Sequence, residues 1–528
     1  MSVELGLAAL ATADLAIKAG GVQQCRYGEK LIDLYSSFSN ASGELHERVL
    51  LIEVNWTRTL HQIEFLKRIW QSLDSDHRNQ QDQILQVLAT KLTAATHQLE
   101  RVHKKRDDKH QAEVKRWKYA FVKENIDQAI NDLDAWQKIF DPSWFLMLKM
   151  ASPLIDQELA KTLSIDSSSG NAPLTTAKSV RDSLRATTQT QTIFLPKEGL
   201  VGARREAIPY CSAELMLRPS KRNTFFVIDS VPCVPEVNEQ IFKRDIRDLA
   251  RKLSASDPVT FGLLQCRGVV KNTDKTINAS GSGLPALASF DFVFIVPPNF
   301  QDPRSLRQHL VTSNQSLSLS SRFQVAQQLA QSVSYVHTYG FVHKSIRPET
   351  ILVFDDSRCI LSYTALLGFE KFRPAAGGLT LRAGDCVWEK NLYRHPRRQG
   401  LTPEEYYSMQ HDIYSLGVCL LEIGLWQSLV VYGEGKPSPS SLLPVLAETD
   451  DGVAKASLLK DSLVDMAKQK LPCRMGDKYA GVVVNCLTCL DATNFDFGDK
   501  NEFENVDGIL INVRYIEKII LQLRSISI

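Results

Sequence analysis

The run Val342–Val353, V-H-K-S-I-R-P-E-T-I-L-V, sets a histidine, two hydroxyls, two cations and a carboxylate within eight consecutive residues, His343 to Thr350. Side chains of these types could move a proton, hold a phosphate or bind a metal ion. A serine hydroxyl is no proton acceptor near neutral pH, and a threonine hydroxyl is a poorer magnesium ligand than an amide carbonyl. Carboxylates that could serve instead stand just past the run at Asp355 and Asp356, and further on at Glu370. Phosphoryl transfer by such a group would need a metal clamp and positioned phosphates. These three acids read rather as hairpin-turn and surface residues.

The flanking elements must position that run. Upstream, Leu319–Tyr339 carries Phe323, Ala326, Leu329, Ala330, Val333 and Val336 at helical spacing and stops at Gly340, a C-cap residue. Downstream, Ile351–Phe354 and Cys359–Tyr363 read as a hairpin, followed by Leu366-Leu367-Gly368-Phe369-Glu370, then Tyr393-Arg394-His395-Pro396, then the apolar helix Asp412–Trp426. In this setting the run resembles the catalytic loop of protein kinases, H-R-D-L-K-P-E-N-I-L. His343, Pro348, Glu349, Ile351 and Leu352 match the pattern. Ser345 stands at the Asp position, Arg347 at the Lys position and Thr350 at the Asn position. Gly368 takes the Asp position of D-F-G, with Phe369 kept, and Asp412 takes that of the buried aspartate in the kinase αF helix. The resemblance implies that Asp412 accepts hydrogen bonds from the backbone around His343. It makes His343, Pro348, Phe369 and Asp412 fold-holding residues, with no catalytic residue, no metal and no cofactor.

The preceding region alternates short β-type runs with one helix: Ala213–Leu217, Thr224–Val231, the helix Glu236–Leu253, Phe261–Val270 and Phe290–Val296. That is the order of a kinase small lobe. Where V-A-I-K would put the phosphate-binding lysine, Phe226-Val227-Ile228-Asp229 offers Asp229. No G-x-G-x-x-G covers the expected phosphate site; Gly199, Gly202, Gly281 and Gly283 read as loop glycines.

Residues 1–150 are helical in pattern. Glu44–Leu73 carries a near-heptad stripe from Val49 to Leu73, Gln83–Val102 repeats it, and Trp117–Phe140 offers a third that Asp141-Pro142 closes. Apolar stripes on long helices need one another, which points to a bundle. Arg101–Lys118 sets eight Lys or Arg against three acids. It could meet phospholipid head groups or nucleic acid, but is read here as a solvated helix connection. Leu163–Thr192, rich in Ser and Thr, reads as a flexible linker.

At 528 residues, two or three domains are expected. Apolar content of 44% and charged content of 23% describe a globular protein, and a net charge of +2 gives no global pull toward nucleic acid. The ten cysteines lack zinc-module spacing; Cys486 and Cys489 sit on an apolar helix, and a reduced, cytoplasmic setting is expected. The first twenty residues are interrupted by Glu4, Asp14 and Lys18, with no basic region before them. They fall short of the roughly 20 apolar residues that span a bilayer and lack signal-peptide features.

The start E-L-G-L-A-A-L-A-T-A-D-L-A with Y-G-E-K-L-I-D-L-Y resembles the HeLo domain of fungal heterokaryon-incompatibility and prion-propagation proteins. L-L-G-F-E-K-F-R (Leu366–Arg373) and L-P-C-R-M-G-D-K-Y (Leu471–Tyr479) resemble the kinase-like domains that accompany HeLo, and the layout is similar to that of mixed-lineage kinase domain-like proteins. The expected fold is multidomain: an all-α helical bundle (1–160), a Ser/Thr-rich linker (161–194) and an α+β, bilobal protein-kinase-like domain, small lobe 195–298 and large lobe 299–528. The resemblance implies a pseudokinase controlling a bundle that self-associates and contacts membrane phospholipid conditionally, with a protein partner on the kinase-like domain and no nucleic acid. Leu5, Leu7, Leu10, Leu15 and Ile17 would be the membrane-active segment, or else bundle core. The alternatives are an atypical active kinase with displaced residues and a scaffold without a membrane role.

Overall fold

The computed structural model describes residues 43–104, 111–150, 152–165, 172–185, 193–197, 203–217, 225–233, 239–274, 286–312, 317–356, 359–369, 372–374, 387–400, 403, 405–433, 436–444, 452–497 and 509–526. Leu5, Leu7, Leu10, Leu15, Ile17, Glu370 and the four loop glycines lie outside them. The chain divides into two compact units, the first ending at Arg181 and the second beginning at Asp182.

The described elements of the first unit are all helices. α1 (Gly43–Ile69), α2 (Ser75–Lys104) and α3 (Gln111–Met147) are its long members, with α1 and α2 both packed on α3. Their facing stripes bury Trp56, Ile63, Leu66 and Trp70, then Ile84, Leu88 and Leu92, then Leu133, Trp136, Phe140 and Trp144. Trp136 stacks on Phe140 at 4.7 Å and donates its indole N–H to the Ile84 carbonyl at 2.9 Å, so its polar edge is satisfied inside the core.

Two expectations fail in this unit. α3 does not close at Asp141-Pro142; Pro142 lies inside the helix. Proline removes one backbone hydrogen bond there, but the continuation buries Trp144, Phe145, Leu146 and Met147. Asp141 itself is tied to Arg58 at 2.8 Å and to Gln62 at 3.1 Å. Likewise, the stretch expected as linker is helical in its described parts: α4 (Pro153–Ile165) and α5 (Ala172–Arg185). Leu174, Ala177 and Val180 are buried there. Arg181, 2% exposed, grips Asp156 at 2.9 Å, the Ser152 carbonyl at 3.0 Å, and the carbonyls of Leu148 and Met150. A guanidinium that collects the loose carbonyls past a helix end replaces the partners those groups have lost. Composition hid this because the apolar stripe of α5 is short, three small or medium residues, and one arginine adds the rest of the fastening.

The second unit begins with a six-stranded sheet: β1 (Phe194–Leu195), β2 (Arg204–Ala207), β3 (Glu214–Leu217), β4 (Phe225–Pro232), β5 (Gln265–Asp274) and β6 (Ala286–Ile295), in the order β1-β5-β6-β4-β3-β2. All neighbours are antiparallel except β1, which runs parallel to β5. α6 (Glu239–Ser254) packs on β5 and buries Ile246, Leu249, Ala250 and Leu253. The expected strand from Phe261 starts four residues late. Asp257 caps a single helical turn, Pro258–Phe261, by accepting from Thr260 N–H at 3.2 Å.

β7 (Phe300–Ser305) leads into α7 (Leu306–Thr312) and α8 (Leu319–Thr338). After the short β8 (Phe341–Val342) and the loop come the hairpin strands β9 (Ile351–Asp356) and β10 (Cys359–Leu366); β9 also pairs with β7. β11 (Arg373–Pro374) pairs with β8. Every residue of α9 (Met409–Leu425) is buried. A Cβ at Gly417 would lie 2.7 Å from that of Cys486, so this glycine is what lets α11 (Asp477–Leu487) lie directly against α9. α10 (Gly452–Lys470) and α12 (Ile509–Tyr515) belong to the same helical part, and helical backbone continues from α12 to Arg524. Cys486 and Cys489 are both fully buried, and burial pushes their thiols up, away from the reactive thiolate.

Candidate functional site

The loop between β8 and β9 is held from below by Asp412, near the start of α9. Its carboxylate accepts from the N–H groups of His343 at 2.7 Å and Lys344 at 2.9 Å, from Tyr407 OH at 2.8 Å and from His337 Nε2 at 3.1 Å. Burial alone would raise the Asp412 carboxyl, but these donors, His337 first, hold it below its ordinary value. Lys344, directly after its anchored amide, takes a positive φ of 66°. His343 is fully buried: Nε2 lies 2.8 Å from the Leu367 carbonyl, and Nδ1 accepts from Ser345 N–H at 3.3 Å. One neutral tautomer, protonated on Nε2, satisfies both contacts. Its ring packs 4.8 Å from that of Phe369. Pro348 opens the short turn Pro348–Thr350 that ends the loop.

The hydroxyls that follow are engaged within the loop. Ser345 Oγ accepts from Arg347 Nη1 at 2.9 Å. Thr350 Oγ1 lies 2.8 Å from the Ser345 carbonyl and 2.9 Å from that of Arg347, and accepts from Arg347 N–H at 3.2 Å. Gly368 has φ of 80°, and a Cβ built on it would lie 2.3 Å from Thr350 Cγ2. The Thr350 methyl thus fills the space a side chain at 368 would need. From the sheet above, Asp229 on β4, 1% exposed, accepts with Oδ2 from the N–H groups of Gly368 at 3.0 Å and Phe369 at 3.2 Å. Residues 229, 350 and 368 therefore meet in one place and close on one another.

Asp355 and Asp356 lie at the far end of β9, four and five residues from Ile351, which is about 13–17 Å along a strand. They do not reach the loop. A metal-bound nucleotide, which a kinase-like site would imply, does not fit the residues present. Positions 345 and 350 supply two hydroxyls engaged in the loop, position 368 has no side chain, and Asp229 is engaged by the Gly368 and Phe369 amides. Among the described residues, no three His, Cys, Asp or Glu side chains come together in a way that could hold a metal ion.

Pattern reading missed a second knot beside the loop. Arg307 on α7 is fully buried, and its guanidinium donates to Glu349 at 2.7 Å, Glu422 at 2.8 Å, Ser428 at 2.6 Å and Tyr393 OH. Tyr393 OH donates onward to Glu422 at 2.7 Å, and Tyr432 OH to Glu349 at 2.8 Å. Burial would raise the Glu349 carboxyl; the Arg307 charge beside it outweighs that and keeps it below its ordinary value. The available signal was a glutamate inside the apolar α9 stripe, a charge that must be paired if buried.

Two comparisons bear on this domain. The family model described as protein tyrosine and serine/threonine kinase matches residues 293–372, from the end of β6 through the loop to Phe372. A serine/threonine-protein kinase-like protein of Arabidopsis thaliana is 32% identical over 106 residues, which is 19% of this chain and 27% of that protein. The match spans about a quarter of the relative's length.

Proposed function

We propose that the protein-kinase-like domain forming the C-terminal part of this chain is a pseudokinase, a signalling module that transfers no phosphoryl group and acts on a HeLo-type helical region before it. The observation that carries this reading is the mutual filling of positions 350 and 368, where Thr350 Cγ2 occupies the room of a Gly368 side chain. In the kinase pattern these two positions supply the magnesium ligands. A side chain added at Gly368 alone would collide with Thr350. Asp229, standing where that pattern has its phosphate-binding lysine, is already engaged by the Gly368 and Phe369 amides. Ser345 replaces the proton-accepting aspartate, and the displaced acids Asp355 and Asp356 are out of reach.

For the N-terminal part, the long aromatic-cored helices support a bundle that self-associates and meets phospholipid when switched, with output in fungal heterokaryon incompatibility or programmed cell death. Among the described residues no helix is long and apolar enough to cross a membrane.

The test is a thermal-shift titration of the full chain with ATP, with and without magnesium, beside a phosphotransfer assay on a generic protein substrate. Ligand binding to the native state raises the melting temperature. No magnesium-dependent shift and no transfer are expected; a magnesium-dependent shift with transfer would overturn the pseudokinase reading. Dye leakage from anionic vesicles on adding the full chain tests the second half. No leakage under any oligomerising condition would remove the membrane output and leave a scaffold.

A further inference from the structure

The turn between β2 and β3 rests on the helical part of the same domain. Ile208 and Ala213 close its base, 4 and 1% exposed, and the Cys211 N–H returns to the Ile208 carbonyl at 3.0 Å. That bond makes Ile208–Cys211 a β-turn with Pro209 second and Tyr210 third. Tyr210 has a φ of 57°, a conformation that turns of this kind ordinarily give to glycine. A tyrosine keeps it only where its surroundings hold it. Its ring lies 4.9 Å from that of Tyr432, just past α9, whose hydroxyl donates to Glu349 at 2.8 Å. The Arg307 guanidinium stands 5.8 Å from the centre of the Tyr432 ring. Beside Tyr210, the Pro209 carbonyl accepts from Ser305 Oγ at 2.6 Å. Ser305 is fully buried and itself accepts from the Gln308 N–H at 3.1 Å, at the start of α7. Two adjacent residues of the turn thus grip two separate segments of the helical part. Burial pushes the Cys211 thiol up to about 12, and the charges of Asp229 on the sheet and of Arg347 and Glu349 in the loop also act on it. The turn therefore lies near both.

We infer that this turn is a latch: together with Asp229 it holds the sheet shut on the helical part, and the closed cleft admits no nucleotide, with or without metal, until the turn is released. Asp229 meets the Gly368 and Phe369 amides directly, which leaves no room between them for another group. The turn adds a second fastening between the same two bodies, so loosening it raises the chance that the Asp229 bonds part as well. A ring pair and one neutral hydrogen bond are individually modest, which suits a contact that opens. The inference deepens the pseudokinase reading and rests on it only for the ligand that is shut out.

The test follows amide hydrogen exchange, resolved by residue, in the full chain without nucleotide. Tyr210→Gly removes the ring at a position whose backbone suits glycine, so the turn itself should persist. It should speed exchange of the Gly368 and Phe369 amides, held by Asp229 across the cleft, about fivefold. The His343 and Lys344 amides, held by Asp412 within the helical part, should keep the wild-type rate. Tyr210→Phe retains the ring and should leave all four unchanged. Ser305→Ala should act in the same direction as Tyr210→Gly. Acceleration by either variant, confined to Gly368 and Phe369, supports the latch. Unchanged exchange at those two amides in both variants would overturn it, as would equal acceleration of all four, the mark of general loosening. Metal-free ADP, added with a chelator, should give the wild type no saturable calorimetric signal, and saturable binding would overturn the exclusion. Phosphotransfer by the wild-type chain would overturn the pseudokinase reading, whereas the exchange comparison tests the latch without reference to catalysis.

Discussion

Two buried aspartates hold the two ends of the same site, and they do so by the same device. Asp412 accepts from the consecutive amides of His343 and Lys344, Asp229 from those of Gly368 and Phe369. They differ in what surrounds the carboxylate. Asp412 adds Tyr407 and His337 and binds helix to loop within the helical part of the domain. Asp229 reaches from the sheet to a loop more than a hundred residues away in sequence. In the alignment expected from the kinase pattern, Asp412 takes an aspartate position and Asp229 a lysine position. A kinase scaffold thus keeps its shape-holding acid and, on the pseudokinase reading, converts a phosphate-binding position into a second shape-holding acid.

Removing the stronger anchor should hurt most. Asp412→Ala leaves four buried donors without their acceptor and should cost about 4 kcal/mol in chemical denaturation. A loss equal to that of Asp229→Ala would erase the distinction drawn here. The anchor also carries a pH signature. The folded carboxyl lies below its ordinary value, so its contribution is complete above about pH 4 and is lost as pH falls toward the folded value. Asp412→Asn should flatten that part of the acid unfolding curve.

Next in size is Gly368→Ala, which should cost about 3 kcal/mol, since the new methyl meets Thr350 Cγ2 and the backbone is left-handed. Thr350→Ser keeps the hydroxyl and removes that methyl, so the double variant should recover part of the loss. Simple additivity in that cycle would mean the two positions do not fill one another. Asp229→Ala should cost about 2 kcal/mol, two buried amides losing one acceptor. Ser345→Ala should be the mildest, below about 1 kcal/mol, because the bond its hydroxyl accepts from Arg347 links two neighbours within one loop. A larger effect would give Ser345 a structural weight that its neighbours do not suggest.

The parts of this arrangement legible in the sequence are those encoded by short-range pattern. Helical spacing located α8 and α9, hairpin residues located β9 and β10, and the match around His343 pointed to the Asp412 hydrogen bonds that the structure contains. Where Pro142 and the Ser/Thr-rich stretch misled, local propensity lost to tertiary burial and to the single guanidinium of Arg181. Asp229 was noticed as the wrong residue for a phosphate, but its partners lie 139 and 140 residues away, beyond any local pattern. The fit of Thr350 to Gly368 was invisible for a different reason. It depends on a left-handed backbone at 368 and on a methyl group, neither of which a motif comparison weighs.

The Arg307 knot has a consequence in time as well as in energy. Its bonds close loops of 42, 86, 115 and 121 residues, so chain closure alone makes them late events in folding. Until Glu349, Tyr393, Glu422 and Ser428 have all arrived, collapse around α7 would trap a lone guanidinium out of water, at a penalty of several kcal/mol. The same penalty weighs against any compact arrangement that leaves the guanidinium unpaired. Four distant segments thus share one buried charge, and each is needed to keep it paired.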